Sequence, residues 1–330
     1  MVFLYSEVAH TQYLSTSRKK VNYSKWGYIF IIPFFVVYAI FALWPLLQTF
    51  YYSFFQYRQS VSDPAVMDGP LFVGMKNYEN VLVGNQFFKY LGNTLILWIL
   101  CFVPQIVVSL LLAVWFTDRR LKLKGQRFFK TVMYMPNLIM ATAIGSLFLS
   151  LFSTNGPINQ LLVDWGWFSK PFSFVNDAWS TRLIIAGMNF LMWFGNTTLL
   201  LMSGVMGIDE EIFDAATVDG ANAFKTFKDI TMPLLRPIFV YVFITSLIGG
   251  LQLFDAAQIF TTSKGGSQET SMTLMMYLNK TFSTSKNYGR AGAISVVIFV
   301  ITALLSLVVF YVSYKDSLPK KRKKVKANGE

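Results

Sequence analysis

The sequence predicts an all-α, polytopic membrane protein with six transmembrane helices, and three observations lead there. The first is composition. Of the 330 residues, 54% are hydrophobic and 17% aromatic, and only 14% are charged, against about 25% in soluble proteins. Mean hydropathy is +0.46. A soluble core of this size cannot hide that much apolar surface, so hydrocarbon must solvate part of it. The second is a set of six apolar stretches, each long enough to cross a bilayer. The third is the placement of basic residues, which gather in the connections expected on one side.

The stretches run at about 26–50, 90–116, 128–152, 182–207, 234–260 and 291–314. Each meets the requirement of about 20 helical residues for a hydrocarbon core of about 30 Å. Pro33, Pro45, Pro104 and Pro136 fall inside predicted spans, where neighbours can satisfy the carbonyls that proline frees. Outside segments are expected at 51–89, 153–181 and 261–290. They carry turn formers such as Asn155-Gly156-Pro157 and Lys264-Gly265-Gly266-Ser267. Trp165, Trp167, Phe168, Phe172 and Trp179 crowd the middle one, which reads as an aromatic belt or short helix at headgroup level rather than as a ligand box.

Six spans place both termini on one side. Arg119, Arg120, Lys122, Lys124 and Arg127 lie between spans two and three. Arg18, Lys19, Lys20 and Lys25 precede span one, and Lys320, Lys321, Arg322, Lys323, Lys324 and Lys326 follow span six. Roughly 20 of the 29 Lys and Arg fall on this face, which is therefore assigned to the cytoplasm. The net charge of +12 is thus read as a topology signal, not as a nucleic-acid footprint. The expected organisation is a cytoplasmic tail (1–25), a six-span membrane domain (26–314) and a basic cytoplasmic tail (315–330). The N-terminus reads as a retained signal anchor, since its apolar run is too long for a cleaved signal and no small-x-small site follows.

Several chemistries are excluded by counting. One cysteine, Cys101, leaves no disulfide framework, and one histidine, His10, leaves no histidine-cluster metal site. No nucleophile, base and orienter cluster, so the chain does not read as an enzyme. It also lacks a Gly-x-x-x-x-Gly-Lys-Ser/Thr phosphate loop and so cannot itself be an ATPase.

One cytoplasmic connection, 208–233, has a pattern of its own. Asp209 can cap a helix whose first turn holds Glu210 and Glu211, where negative charge is favoured. Ile212, Ala215 and Ala216 then share a face at i, i+3 and i+4. Gly220 stands where a left-handed C-terminal cap belongs. A second helix can start at Asn222, with Phe224, Phe227 and Ile230 spaced by three. Pro233 is expected to stop it and to hold Met232 extended. Spacing alone fits either an ordinary interfacial connector or a surface built for close approach by another protein.

The residues from Glu211 to Pro233 resemble the EAA loop of permease subunits of ATP-binding-cassette importers. Asp214-Ala215-Ala216, Asp219-Gly220-Ala221 and Ile230-Thr231-Met232-Pro233 occupy the family's positions, with Asp for Glu at 214 and Met for Leu at 232. Leu234-Leu235-Arg236-Pro237 is similar to the branch that takes up sugars and oligosaccharides, the maltose-transporter-like permeases. Other landmarks resemble the same branch in order: Trp44-Pro45-Leu46, Ser53-Phe54-Phe55, the run Phe72 to Tyr78, Asn93-Thr94, Phe128-Phe129-Lys130 with Met135-Pro136, Gly156-Pro157-Ile158-Asn159, Phe254-Asp255 with Gly265-Gly266, and Tyr288-Gly289 with Ala291.

The resemblance implies a type I ABC importer permease fold with cytoplasmic coupling helices, in a bacterial inner membrane. It implies half of a translocation path for sugars or oligosaccharides, with no cofactor in this chain and with ATP and magnesium bound by partner ATPases. The implied partners are two ATPase subunits, a second and different permease chain, an external sugar-binding protein and membrane lipid. Glu211, Asp214, Ala215, Ala216, Asp219, Gly220 and Pro233 are the implied ATPase-coupling residues. Asn189, Trp193 and Asn196 resemble sugar-contacting positions before the loop, and Ser246, Gly249, Gly250 and Leu253 those after it. Gly249 and Gly250 replace larger residues there, which would widen the cavity or move binding elsewhere.

Gln252 joins the candidate path residues because a polar group inside a span is costly and therefore informative. Asn and Thr also glue helices together, and paired glycines also permit close packing, so both roles stay open. An importer of another polar solute, such as glycerol-phosphate, is the alternative within the family. A channel or secondary transporter is the alternative outside it, and would be expected to show intramembrane acids, histidines or a repeat.

Overall fold

The computed structural model describes residues 24–60, 62–118, 121 and 124–314. His10, the basic residues of both tails from Arg18 to Lys20 and from Lys320 on, and Arg119, Arg120 and Lys122 lie outside the described residues. Among the described residues five helices are long and apolar enough to cross a membrane: Lys25–Tyr52, Asn85–Thr117, Ala178–Met206, Arg236–Phe260 and Tyr288–Ser313. A bent pair, Gln126–Leu138 and Ala141–Leu151, passes the same test when taken together and makes the sixth candidate span. These are spans one to six in chain order, the bent pair being span three.

The chain divides into two compact units, Met1–Gln48 and Thr49–Glu330. The described part of the first is helical, passing from an α-helix (Ser24–Tyr38) through a π-helical turn (Ala39–Leu43). Pro33 lies inside that helix, and Phe34, Phe35 and Tyr38 pack ring on ring along it. Its apolar side chains, Phe30, Phe34 and Phe41 among them, are exposed. In water that surface would be prohibitive, whereas lipid tails solvate it.

The second unit builds its core from spans two, four, five and six. Phe87, Tyr90, Leu97, Ile185, Met188, Phe260, Leu274 and Ile294 form one buried cluster. Phe102, Ala113, Leu201, Met202 and Val242 form a second. Polar side chains stitch the helices between them. Gln105 Nε2 donates to Thr197 Oγ1 at 2.7 Å, and Ser109 Oγ to the Phe194 carbonyl at 2.8 Å. These are interhelical bonds of the kind measured in membrane proteins at about 0.6 kcal/mol on average. Span four opens at Asp177, whose carboxylate accepts from the Ser180 N–H at 2.8 Å. That backbone bond holds the Asp177 carboxyl below the usual carboxylate range.

Two sequence expectations are corrected. Span three is not one helix: its halves meet at 91°. Pro136 sits in a short 3₁₀ turn, Met135–Leu138, and Ile139 turns extended. Proline cannot donate to the preceding turn and crowds it, and here no α-helical register is recovered until Ala141. Nor does Pro233 end a helix. Met232 is α-helical (φ −63°, ψ −46°), and the chain continues through Met232–Leu234 into Arg236–Leu251. A π-helical turn, Phe227–Thr231, precedes the proline and admits an extra residue. Pro233 thereby becomes a first-turn residue, where its missing N–H costs nothing.

The segments expected outside from the sequence are ordered by the landmark residues. Among the described residues the one sheet is a hairpin of β1 (Phe55–Gln59) and β2 (Met67–Phe72), paired antiparallel from Phe55↔Phe72 to Gln59↔Met67. Asn77 Nδ2 donates to the carbonyls of Ser53 and Phe55, each at 2.9 Å. The Tyr78 hydroxyl meets Ser53 Oγ at 2.6 Å. Farther on, Asn159 closes the segment between spans three and four. It donates to the carbonyls of Ser153 and Phe172 and accepts from the Phe172 N–H at 2.9 Å. Trp165, Trp167 and Trp179 of this segment are exposed.

Candidate functional site

The connection between spans four and five folds as two short helices reversed at a glycine. The first, Glu210–Val218, begins at Asp209, whose Oδ1 accepts from the Glu211 N–H at 3.2 Å. It ends in a Schellman arrangement. The Ala221 N–H reaches the Ala216 carbonyl at 2.9 Å, and the Gly220 N–H reaches the Thr217 carbonyl at 3.1 Å. Gly220 has φ +72°, a conformation that favours a residue without Cβ. Asn222 then caps the second helix, accepting from the Lys225 N–H at 2.8 Å.

The apolar stripe expected on the first helix is split between two faces. Ala216 points inward and is 7% exposed. Ile212 and Ala215 are exposed, as are Glu211, Asp214 and Asp219. Val218 is 88% exposed. On the second helix Phe224 faces out, while Phe227 and Ile230 are half-buried. Behind the hairpin lies a cavity of about 800 Å³, reached by Phe116 and Asp118 at the end of span two, Lys130 of span three, and Phe213, Asp214 and Phe227.

The candidate path residues fall into two groups. Asn189, Trp193 and Asn196 share one face of span four at i, i+4 and i+7. Trp193 is 48% exposed, and both asparagines are half-buried. Asn189 Nδ2 donates to the Ile185 carbonyl of its own helix at 2.9 Å. Among the described residues Asn196 and Gln252 make no side-chain hydrogen bond, so their amides keep their full capacity. Gly249 is open, with nothing within 4 Å of where a Cβ would stand. Gln252 is exposed where the helix Arg236–Leu251 ends.

Ser246, Gly250 and Leu253 are occupied by the protein itself. Ser246 Oγ accepts from Trp98 Nε1 of span two at 3.1 Å. A Cβ on Gly250 would run into the Trp98 side chain. The expected widening at Gly250 is therefore corrected: the indole fills the space that glycine vacates. Leu253 is buried, and its carbonyl accepts from Thr273 Oγ1 at 2.7 Å.

Trp98 escaped the sequence reading because an aromatic inside an apolar run carries no mark of what it packs on. Tyr241 and Thr245 escaped too, although they extend the Gly249 and Gln252 stripe backward by whole turns and are exposed. Their signal was available as helical spacing. Gly195 is a further seat: a Cβ there would meet the main chain of span three at Met133, with the Tyr134 nitrogen at 3.0 Å. Asn137 Nδ2 locks the same crossing by donating to the Met192 carbonyl at 3.0 Å.

Residues 105–322 match the family described as "Binding-protein-dependent transport system inner membrane component". The chain belongs to that family. It is a multi-pass membrane permease subunit of an ABC importer. This permease is 30% identical over 299 residues to the lactose transport system permease protein LacF of Rhizobium radiobacter, covering 90% of this chain and 97% of that one. It is also 30% identical over 305 residues to the multiple sugar-binding transport system permease protein MsmF of Streptococcus mutans, covering 91% and 99%. Among solved structures, the permease superposes with a TM-score of 0.75 on a chain of a bacterial ABC transporter that imports the acidic polysaccharide alginate. Identity there is 20% and coverage 90% and 97%, so the likeness is one of fold. The helical architecture as a whole is thus that of a type I importer permease.

Proposed function

We propose that this permease carries sugars or oligosaccharides inward, as one half of a path shared with a second, different permease chain. Two cytoplasmic ATPases drive it, and ATP and magnesium bind there. The supporting observation is the hairpin 208–233: a rigidly capped helix that turns Ile212, Ala215, Val218 and a row of acids outward, with a cavity behind it. An exposed apolar stripe on a short, well-capped helix is a docking surface, and small residues let a partner groove approach closely. ATP-driven movement of the partner would carry the helix as a body, and spans four and five, attached at either end, would move with it. Coupling requires such differential contacts at both ends.

The sugar assignment draws on relatives named for lactose, arabinooligosaccharides and trehalose/maltose, and on the chemistry of the open stripes. Unspent amides at Asn196 and Gln252 suit hydroxyls, and the exposed ring of Trp193 suits the C–H face of a sugar. With both termini cytoplasmic, the hairpin faces the ATPases and the hairpin β1–β2 faces the external binding protein. The test is reconstitution of the four-subunit complex in vesicles with its binding protein. ATP-dependent uptake of a neutral oligosaccharide is expected. Uptake of glycerol-phosphate with no sugar uptake would overturn the substrate class, and co-purification without any ATPase would overturn the importer reading of the hairpin.

A further inference from the structure

The loop between spans five and six engages more of the molecule than its length requires. Its backbone is left-handed at Thr262 (φ 49°), Ser263 (φ 66°), Gln268 (φ 49°) and Glu269 (φ 58°), in addition to Gly265 and Gly266. Non-glycine residues in this region persist only where the surroundings over-determine them. Ser263 is held by Gln258 of its own segment, and around Gln268 and Glu269 the surroundings are side chains of spans two and four. Lys89 Nζ donates to the Gln268 carbonyl at 2.8 Å. Asn93 Nδ2 donates to the carbonyls of Glu269 at 2.9 Å and Met272 at 3.3 Å. Arg182 donates twice to the Thr270 carbonyl, through Nε at 3.1 Å and Nη2 at 2.9 Å, and once to Asn93 Oδ1 at 3.1 Å.

The Glu269 carboxylate completes the arrangement. It accepts from the Tyr90 hydroxyl of span two and from Lys280 Nζ at 3.0 Å. Arg182 stands two turns before Asn189 on the same face of span four, so these bonds close at the outer end of the stripe that holds Asn189, Trp193 and Asn196. Their rim is wet: the Glu269 side chain is one-third exposed and that of Lys280 about half. A docking protein could therefore compete for them.

We propose that residues 262–272 form a clasp. Arg182 and Glu269 hold a strained loop shut across the outer ends of spans two and four, and the loop lets go when the path opens outward. This rests on the transport reading above. Backbone strain favours release and charge-assisted hydrogen bonds oppose it, so a protein surface that binds the outer rim can tip the balance.

The test uses the whole complex in vesicles, on a Cys101→Ser background, with Lys89→Cys and Gln268→Cys joined by a bis-maleimide whose spacer can be reduced. Before cross-linking, the variant is expected to take up sugar; if it and the unmodified complex do not, the transport reading fails and the clasp is not at issue. Once cross-linked, it is expected to bind its loaded binding protein yet lose uptake, and to regain uptake on reduction. Undiminished uptake while cross-linked would show that the loop stays shut through the cycle, and failure to cross-link would contradict its closed position; either overturns the clasp. Independently, Glu269→Gln should raise ATP hydrolysis in the absence of binding protein severalfold, and hydrolysis at the unmodified rate counts against it.

Discussion

Trp98 of span two occupies the ground on which a side chain at Gly250 of span five would have to stand, its own Cβ 2.9 Å from that point. The same indole donates to Ser246, one turn earlier. Ring, hydroxyl and missing Cβ form one joint between the two spans, extended by stacking of Trp98 on Phe102 and an edge contact with Phe243. Gly250→Leu is expected to overpack that joint at a cost of about 1–3 kcal/mol. Thermal unfolding of the purified protein would show it, and Trp98→Ala combined with Gly250→Leu should recover part of the loss.

Gly195 makes a harsher case. The obstacle there is backbone of Met133 and Tyr134, which has no rotamer to give. Even Gly195→Ala should push the third span off the fourth. The expected outcome is low recovery of folded protein from the membrane, with a larger loss of thermal stability than for Gly250→Leu.

Gly220 isolates the conformational effect, since nothing lies within 4 Å of a Cβ there. A left-handed backbone costs an ordinary L-residue about 1–2 kcal/mol. Gly220→Val is expected to abolish most uptake while leaving membrane insertion intact, and Gly220→Asn, which tolerates this region, to retain most of it. Normal uptake by the valine variant would remove the hairpin from the coupling account.

Much of this hairpin was legible beforehand because its determinants are local. Asp209, Gly220 and Asn222 act on backbone groups within a few residues of themselves. The outer landmarks were legible as residues but not as partners. Asn77 and Tyr78 each bond Ser53 across more than twenty positions, and a linear pattern does not state that pairing. The seat of Trp98 was illegible for the same reason, since it depends on which helix lies opposite. The elbow of span three, by contrast, carried a local mark in Pro136, a residue that a span can either absorb or break at. Met232 shows local rules being overridden: a π-turn changed the register that Pro233 met.

Asn196 and Asn189 should separate under substitution. A hydrogen bond to a sugar hydroxyl is worth about 0.5–1.5 kcal/mol net, so Asn196→Ala should raise the KM for uptake about two- to tenfold. Its thermal stability should not change, because the amide has no protein partner among the described residues. Asn189→Ala also removes a bond to its own helix and should show a small stability change as well. Unchanged KM in both would place this face against lipid or protein.

Glu269 sets the acid limit of the outer loop. The Tyr90 hydroxyl, then Lys280 and Lys89, hold its carboxyl below the usual range against the opposing effect of burial. A depressed folded-state pKa means the stabilisation is complete above the unfolded value, about 4.3 for glutamate, and is lost only as pH falls through the lower folded value. Thiol labelling at Gln268→Cys, taken relative to a fully exposed control cysteine at the same pH so that the falling thiolate fraction cancels, should thus be constant from neutral pH down to about 5 and rise only below about 4.3.

The right-angled break in span three also orients the molecule. Peptide groups around Met135–Met140 have left the helical ladder, yet they fall midway along the apolar bent pair. Oil offers such groups nothing to bond. The flank carrying the elbow must therefore be covered by protein, as span four covers it at Met192 and Gly195, or bathed by water. Knowing where a single helix snaps is enough to tell the greasy exterior of this subunit from its seam.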